Sequence, residues 1–137
     1  MVQIYFLSIV TNILGGLALS AGHYSEKFPG LSGVRDFFDE KAGMRVALGV
    51  VAFLAGFLKL LSVTAGDVPV AGDLLPALAG LVTGVTLLFD RYKEKSTVPS
   101  RLVEAADKVL LRNKTILGTV GMLLGALHFL IPGVVLL

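Results

Sequence analysis

The sequence predicts an all-α integral membrane protein. Four transmembrane helices form two tandem repeats of the same orientation, each a span, a cytoplasmic amphipathic helix and a second span. Three observations carry this. Apolar residues make up 55% of the 137 positions and charged residues only 16%, against about 25% charged in an ordinary soluble domain. The apolar residues gather into four runs instead of spreading at amphipathic spacing. The stretch Arg45–Val63 also returns as Lys114–Pro132 at an offset of 69, which pairs Leu48 with Leu117, Gly49 with Gly118, Leu54 with Leu123, Gly56 with Gly125 and Lys59 with His128.

The first run, Val2–Gly22, is broken only by Gln3, Ser8, Thr11, Asn12 and Ser20. It has no basic residues at its start, so it reads as a retained span and not as a cleaved signal peptide. The connection 23–45 holds Lys27, Arg35, Lys41 and Arg45 against Glu26, Asp36, Asp39 and Glu40. Within 32–44, Val34, Phe37, Phe38 and Ala42 fall on one helical face, with Ser32 as the expected N-cap. The second run, Val46–Gly66, contains Lys59. Asp67 and Asp73 follow, with no Lys or Arg before the third run, Leu74–Phe89. The third run is short, and Val68–Gly72 and Tyr92 lengthen it. Its Pro76 sits in a first helical turn, where a missing N–H costs nothing.

The connection 90–114 carries Arg91, Lys93, Lys95, Arg101, Lys108, Arg112 and Lys114 against Asp90, Glu94, Glu104 and Asp107. Positions 102, 103, 106, 109 and 110 share a face there, with Ser100 as the expected cap. Both amphipathic helices are expected along the inner headgroup boundary or against the ends of the bundle. The fourth run, Thr115–Leu137, has His128 as its one ionisable residue. Eleven of the twelve Lys and Arg residues lie in the two long connections. The positive-inside rule puts those connections in the cytoplasm and both termini on the outer side of the inner membrane.

The repeat extends beyond the second and fourth spans. At an offset of 68, Gly16 pairs with Gly84, Tyr24 with Tyr92, Glu26 with Glu94, Lys27 with Lys95, Ser32 with Ser100 and Asp39 with Asp107. Repeat one is 1–66 and repeat two is 67–137 of a single membrane domain. Each copy crosses twice and ends where it began, so the copies share an orientation. A pseudo-two-fold along the membrane normal follows.

Lipid gives no hydrophobic drive for helix association, so small residues that let backbones approach decide the packing. Arg45, Gly49, Ala52, Gly56 and Lys59 recur at steps of 4, 3, 4 and 3, as do Lys114, Gly118, Gly121, Gly125 and His128. Ser8, Asn12, Gly16 and Ser20 mark span one, and Pro76, Gly80, Gly84 and Leu88 mark span three. These stripes read as helix–helix contacts, with a ligand groove as the sharper alternative. Ala55 falls on a neighbouring face, so Ala55→Leu is expected to be milder than Gly56→Leu or Gly125→Leu.

The chemistry on offer is narrow. The chain has no cysteine, and no HExxH, GxSxG or Walker A motif, so no catalytic or metal site is assigned. No cofactor is indicated, and nothing points to nucleic acid. Lys59 and His128 are ionisable groups inside spans, which makes them candidates for a ligand or pathway. Lys59 lies 14 residues beyond Arg45, roughly 21 Å at 1.5 Å per residue, in the outer part of the bilayer. Snorkelling toward Asp67 or Asp73 is the plain alternative. Asn12 is the third candidate, with an interhelical hydrogen bond as its plain reading. His23 and Asp90 are expected in water at the inner side.

The motif R-x-x-L-G-x-x-x-x-x-x-G-x-x-K-L at Arg45–Leu60, with G-A-L-H-F-L-I-P at 125–132, resembles the signature span of DoxX-like four-helix membrane proteins. That signature usually lies in the first span, and here it lies in the second and fourth. The resemblance implies a small inner-membrane protein, some relatives being tied to quinone-linked oxidoreductases or to assembly of membrane complexes. Three functions are therefore expected of this chain. The first is a structural or accessory subunit, or assembly factor, the lack of buried carboxylates favouring it. The second is a small transporter or channel for an anion or small polar solute. The third is a quinone-linked membrane subunit. The bilayer, further copies of the chain or other membrane subunits are the expected partners.

Overall fold

The computed structural model describes residues 2–61 and 74–131, and their regular structure is entirely helical. The connection with Asp67 and Asp73, the boundary between the repeats and the end of the fourth run (132–137) lie outside the described residues.

Helix α1 spans Val2–Lys27, well past the end of its apolar run at Gly22. It stops where Phe28 turns extended (φ −125°, ψ 93°) ahead of Pro29, as a residue before proline prefers. A short 3₁₀ turn, Pro29–Leu31, leads into α2, Ser32–Glu40. Ser32 is the first residue of α2 and not its cap. Its hydroxyl donates to the Pro29 carbonyl at 2.8 Å, which corrects the capping expectation. Lys41 (φ −104°, ψ 64°) breaks the chain, so the helix expected over 32–44 ends at Glu40. Ala42 instead opens α3, Ala42–Leu61.

Helix α4 is Leu74–Lys95, with Pro76 in its first turn. Helix α5, Arg101–Ala106, continues as a π-helical turn over Asp107–Leu111. Ser100 takes the extended cap conformation, but its side chain makes no capping hydrogen bond. Helix α6 is Lys114–Leu130. Three of these helices, α1, α3 and α4, are long and apolar enough to cross a membrane, and α6 covers 17 described residues.

The burial pattern is the reverse of a soluble bundle. Ala52, Ala55, Asn12 and Thr86 are fully enclosed, while Phe6 is 59% exposed, Phe57 47% and Leu123 57%. Small and hydroxyl residues fill the inside and large apolar side chains face out. A water-soluble monomer does not expose apolar surface on that scale. Lipid is the solvent this surface suits, and the chain is a membrane protein.

Helix α3 runs along α4, and α1 runs along α6. Helix α1 also meets α3 and α4, α4 meets α6, and α2 lies against α1. Glycine sets both main crossings. A Cβ on Gly56 would stand 2.6 Å from the Ala77 carbonyl oxygen and 2.7 Å from the Leu81 nitrogen. One on Gly84 would stand 2.7 Å from the Gly49 oxygen. In the other crossing, one on Gly118 would stand 2.5 Å from the Gly16 oxygen, and one on Gly125 would stand 3.2 Å from the Ile9 oxygen. The approaches at Gly56, Gly84 and Gly118 leave no room for a side chain, and the one at Gly125 is tight.

Ala55 is fully buried, which corrects its assignment to a milder face. Leu87, and not Leu88, completes the buried face of α4.

Candidate functional site

Polar groups inside the bundle form two charged layers with a neutral layer between. The neutral layer is made by Ser8, Thr11, Asn12 and Ser20 of α1 with Thr83 and Thr86 of α4, all buried. An unpaired polar group in an apolar interior costs free energy, and the Thr11 and Ser20 hydroxyls find backbone partners. Thr11 donates to the Leu7 carbonyl at 2.8 Å, and Ser20 to the Gly16 carbonyl at 2.8 Å. Asn12 reaches across helices: its Nδ2 donates to the Pro76 carbonyl at 2.9 Å. That is the interhelical bond expected of it, and it ties α1 to the first turn of α4.

The first charged layer lies where α3 and α6 end. Lys59 and His128 are both buried, 3% and 1% exposed, and Tyr5 of α1 stands between them. The Lys59 ammonium lies 5.1 Å from the centre of the Tyr5 ring, and the His128 ring lies 4.6 Å from it. The Tyr5 hydroxyl donates to the His128 carbonyl at 2.6 Å. An ammonium over an aromatic face gains up to about 2 kcal/mol when desolvated. The fold therefore brings together the two candidates at matching repeat positions. Tyr5 was not singled out, although it continues the stripe Ser8, Asn12, Gly16 by one turn toward the N-terminus.

The second layer lies where α3 and α6 begin, and Asp90 of α4 is its centre. Asp90 is 8% exposed, which corrects the expectation that it sits in water and removes the claim that the chain buries no carboxylate. His23, placed in water with it, is indeed exposed. Arg45, 7% exposed, pairs closely with Asp90 and reaches Glu94 at 3.2 Å. The Lys114 ammonium lies 3.6 Å from the same Asp90 carboxylate. Arg45 and Lys114 are the cations that open the two copies of the repeated stretch, and they converge on one carboxylate. Asp39 of α2 stands 4.0 Å from Arg45 and closes the rim. Beside these groups lies a cavity of about 380 Å³, which all four long helices and α2 help to line.

Among the described residues, no cluster of His, Asp and Glu could hold a metal ion. The glycines Gly16, Gly49, Gly56, Gly84, Gly118, Gly121 and Gly125 lie at helix contacts and not along this cavity. Gly121, for example, would put a Cβ 3.1 Å from the Thr83 hydroxyl.

Fold and site together define a helical membrane protein with a polar interior and a charged vestibule at one end. The chain belongs to an uncharacterised protein family whose model matches residues 1–128. It is similar to an uncharacterized protein of Treponema pallidum (strain Nichols), 32% identical over 110 residues that cover 77% of this chain and 82% of the relative. No solved structure matches it.

Proposed function

We propose that this protein is a four-span transporter or channel for an anion or small polar solute. Its termini lie outside, residues 23–45 and 90–114 lie in the cytoplasm, and the solute moves along the axis between the two copies. The observation that carries this reading is the vestibule, where four helices from both copies converge on Arg45, Asp90 and Lys114. Charged groups inside a membrane bundle are expensive and by default mark a functional site. Lys59 and His128 at the opposite end give the axis a second charged layer.

Support for the pseudo-two-fold comes from equivalent contacts. Gly16 meets Gly118 as Gly84 meets Gly49, and Ile9, Asn12 and Ile13 surround Gly125 as Ala77, Gly80 and Leu81 surround Gly56. Each of these pairs obeys the offsets of 68 and 69.

The test is the light-scattering re-swelling of proteoliposomes in potassium chloride, potassium acetate or glycerol. Lys59→Met and His128→Gln are expected to slow re-swelling by about tenfold or more, a loss of about 1.4 kcal/mol of stabilisation, in variants that still unfold cooperatively. Wild-type protein that re-swells no faster than protein-free liposomes in every solute refutes the reading. Topology is tested separately. Cysteines at Val68 and Lys93 should label from opposite faces of sealed vesicles, and labelling from one face overturns the assignment.

A second reading, an accessory subunit of a membrane complex, is favoured by two apolar grooves on the outside of the bundle. One, of about 460 Å³, lies among α1, α2 and α3, and the other, of about 180 Å³, lies between α4 and α6. Their linings match at the repeat offsets: Leu7 with Leu75, Val10 with Leu78, Leu14 with Val82, Leu48 with Leu117 and Val51 with Val120. Such grooves suit a partner's transmembrane helix. A stoichiometric companion in mild-detergent purification supports this reading, and a lone oligomer with flux favours transport.

A further inference from the structure

The vestibule is asymmetric in a way that points to its ligand. In the first half of the pseudo-symmetric pair, Arg45 of α3 packs against Asp90 of α4. In the second half, Lys114 of α6 faces α1, where the offset of 68 places Gly22 opposite Asp90. The carboxylate is missing there. Two contacts fix the register: Leu19 lies against Gly118 as Leu87 lies against Gly49. One further turn brings Gly22 to Lys114, as Asp90 comes to Arg45.

The missing side chain has left a space. A Cβ on Gly22 would meet nothing within 4 Å, and Gly22, His23, Lys114 and Thr115 all line the cavity. The ammonium beside that space is incompletely matched. Arg45 takes the close contact with Asp90, together with Glu94 and Asp39, and Lys114 holds the same Asp90 only at 3.6 Å. Arg35 holds Asp36 at 2.7 Å and Asp39 at 4.0 Å, and Glu26 lines the same cavity one turn beyond Gly22.

We propose that the space beside Gly22 is a binding site for a small free carboxylate, held by Lys114 as Arg45 holds Asp90. His23 and Thr115 line the same cavity, and both carry side chains able to donate a hydrogen bond. The ligand restores the ion pair that the second copy lacks. This names the solute class of the proposed transporter and rests on that reading for its purpose, although the site itself is tested by binding alone.

The experiment is saturation-transfer NMR of sodium acetate on the full chain in detergent, at constant ionic strength, with chloride and phosphate as competitors. Acetate should bind the wild type. Lys114→Gln should weaken it by about tenfold or more, the size of one charge-assisted contact, and Lys114→Arg should retain it. Gly22→Asp supplies the missing carboxylate from the chain and should abolish acetate binding while thermal unfolding stays at or above the wild-type temperature. Gly22→Ala should still bind. Absence of acetate binding to the wild type overturns the proposal. So does a Gly22→Asp variant that binds as the wild type does, or a Gly22→Ala variant that loses binding as completely as Gly22→Asp. Chloride or phosphate that binds more tightly than acetate overturns the carboxylate assignment. Acetate binding without flux upholds the site and removes the transport reading. Flux of chloride or glycerol without acetate binding removes the site alone.

Discussion

Gly56→Leu is expected to force α3 away from α4 and to destabilise the folded bundle by about 3 kcal/mol or more. Overpacking a close contact typically costs about 1–3 kcal/mol, and the low end applies where a neighbour can yield. Here none can. The atoms met within 2.7 Å are the Ala77 oxygen and the Leu81 nitrogen, both main chain in a long helix. A leucine must move the whole helix, and with it the Asn12 bond to Pro76. Gly125→Leu faces Ile13 and Asn12 side-chain atoms at 3.0 and 3.1 Å, which can shift, so its penalty should be smaller. Ala55→Leu joins the costly class because Ala55 is fully enclosed. Gly22→Ala is the control: with open space around it, it should gain about 0.5–1 kcal/mol from helix propensity. Denaturant or thermal unfolding in one detergent, followed by circular dichroism, ranks the four. A Gly56→Leu variant as stable as the control would mean that the crossing is not where these contacts put it.

The second large effect concerns Asp90. Removing one partner of a buried ion pair leaves an uncompensated charge and typically costs about 3–5 kcal/mol. Asp90→Asn leaves two cations, Arg45 and Lys114, without the carboxylate they share, and Glu94 reaches only Arg45. A loss near 3 kcal/mol is expected. Arg45→Met combined with Asp90→Leu should cost less than Asp90→Asn alone, because it removes both charges from the interior. The same unfolding assay decides. If the double variant is the less stable, Arg45 and Asp90 are not a coupled pair.

Much of this arrangement was legible from residue spacing. Steps of three and four put Arg45, Gly49, Ala52, Gly56 and Lys59 on one face, and all five are buried. Spacing works here because membrane helices pack on their smallest side chains. Asp90 was missed because it adjoins Arg91, Lys93 and Glu94 and so looks like the start of a hydrated connection. How far a helix runs before it leaves the bundle depends on its neighbours, here the starts of α3 and α6, and not on its own composition. A signal did exist: Gly80, Thr83, Leu87 and Asp90 follow one another at helical steps, and all are buried. Tyr5 could have been found in the same way. The N-cap readings fared unevenly. Ser100 holds the cap position without a capping hydrogen bond, and Ser32 lies one residue inside α2, because the path of the chain ahead of a helix decides where it starts.

The pairing of α1 with α6 has a consequence for biosynthesis. Helix α1 has its main partner in α6, the last helix among the described residues. Some hundred residues must be made in between, which takes about 5–20 s at usual elongation rates. During that interval the face of α1 with Ile9, Ile13 and Gly16 lacks the α6 surface that later packs on it. Insertion and packing are thereby separated in time, and a nascent chain truncated before Lys114 should be a target for membrane quality control even though α1, α3 and α4 are already made.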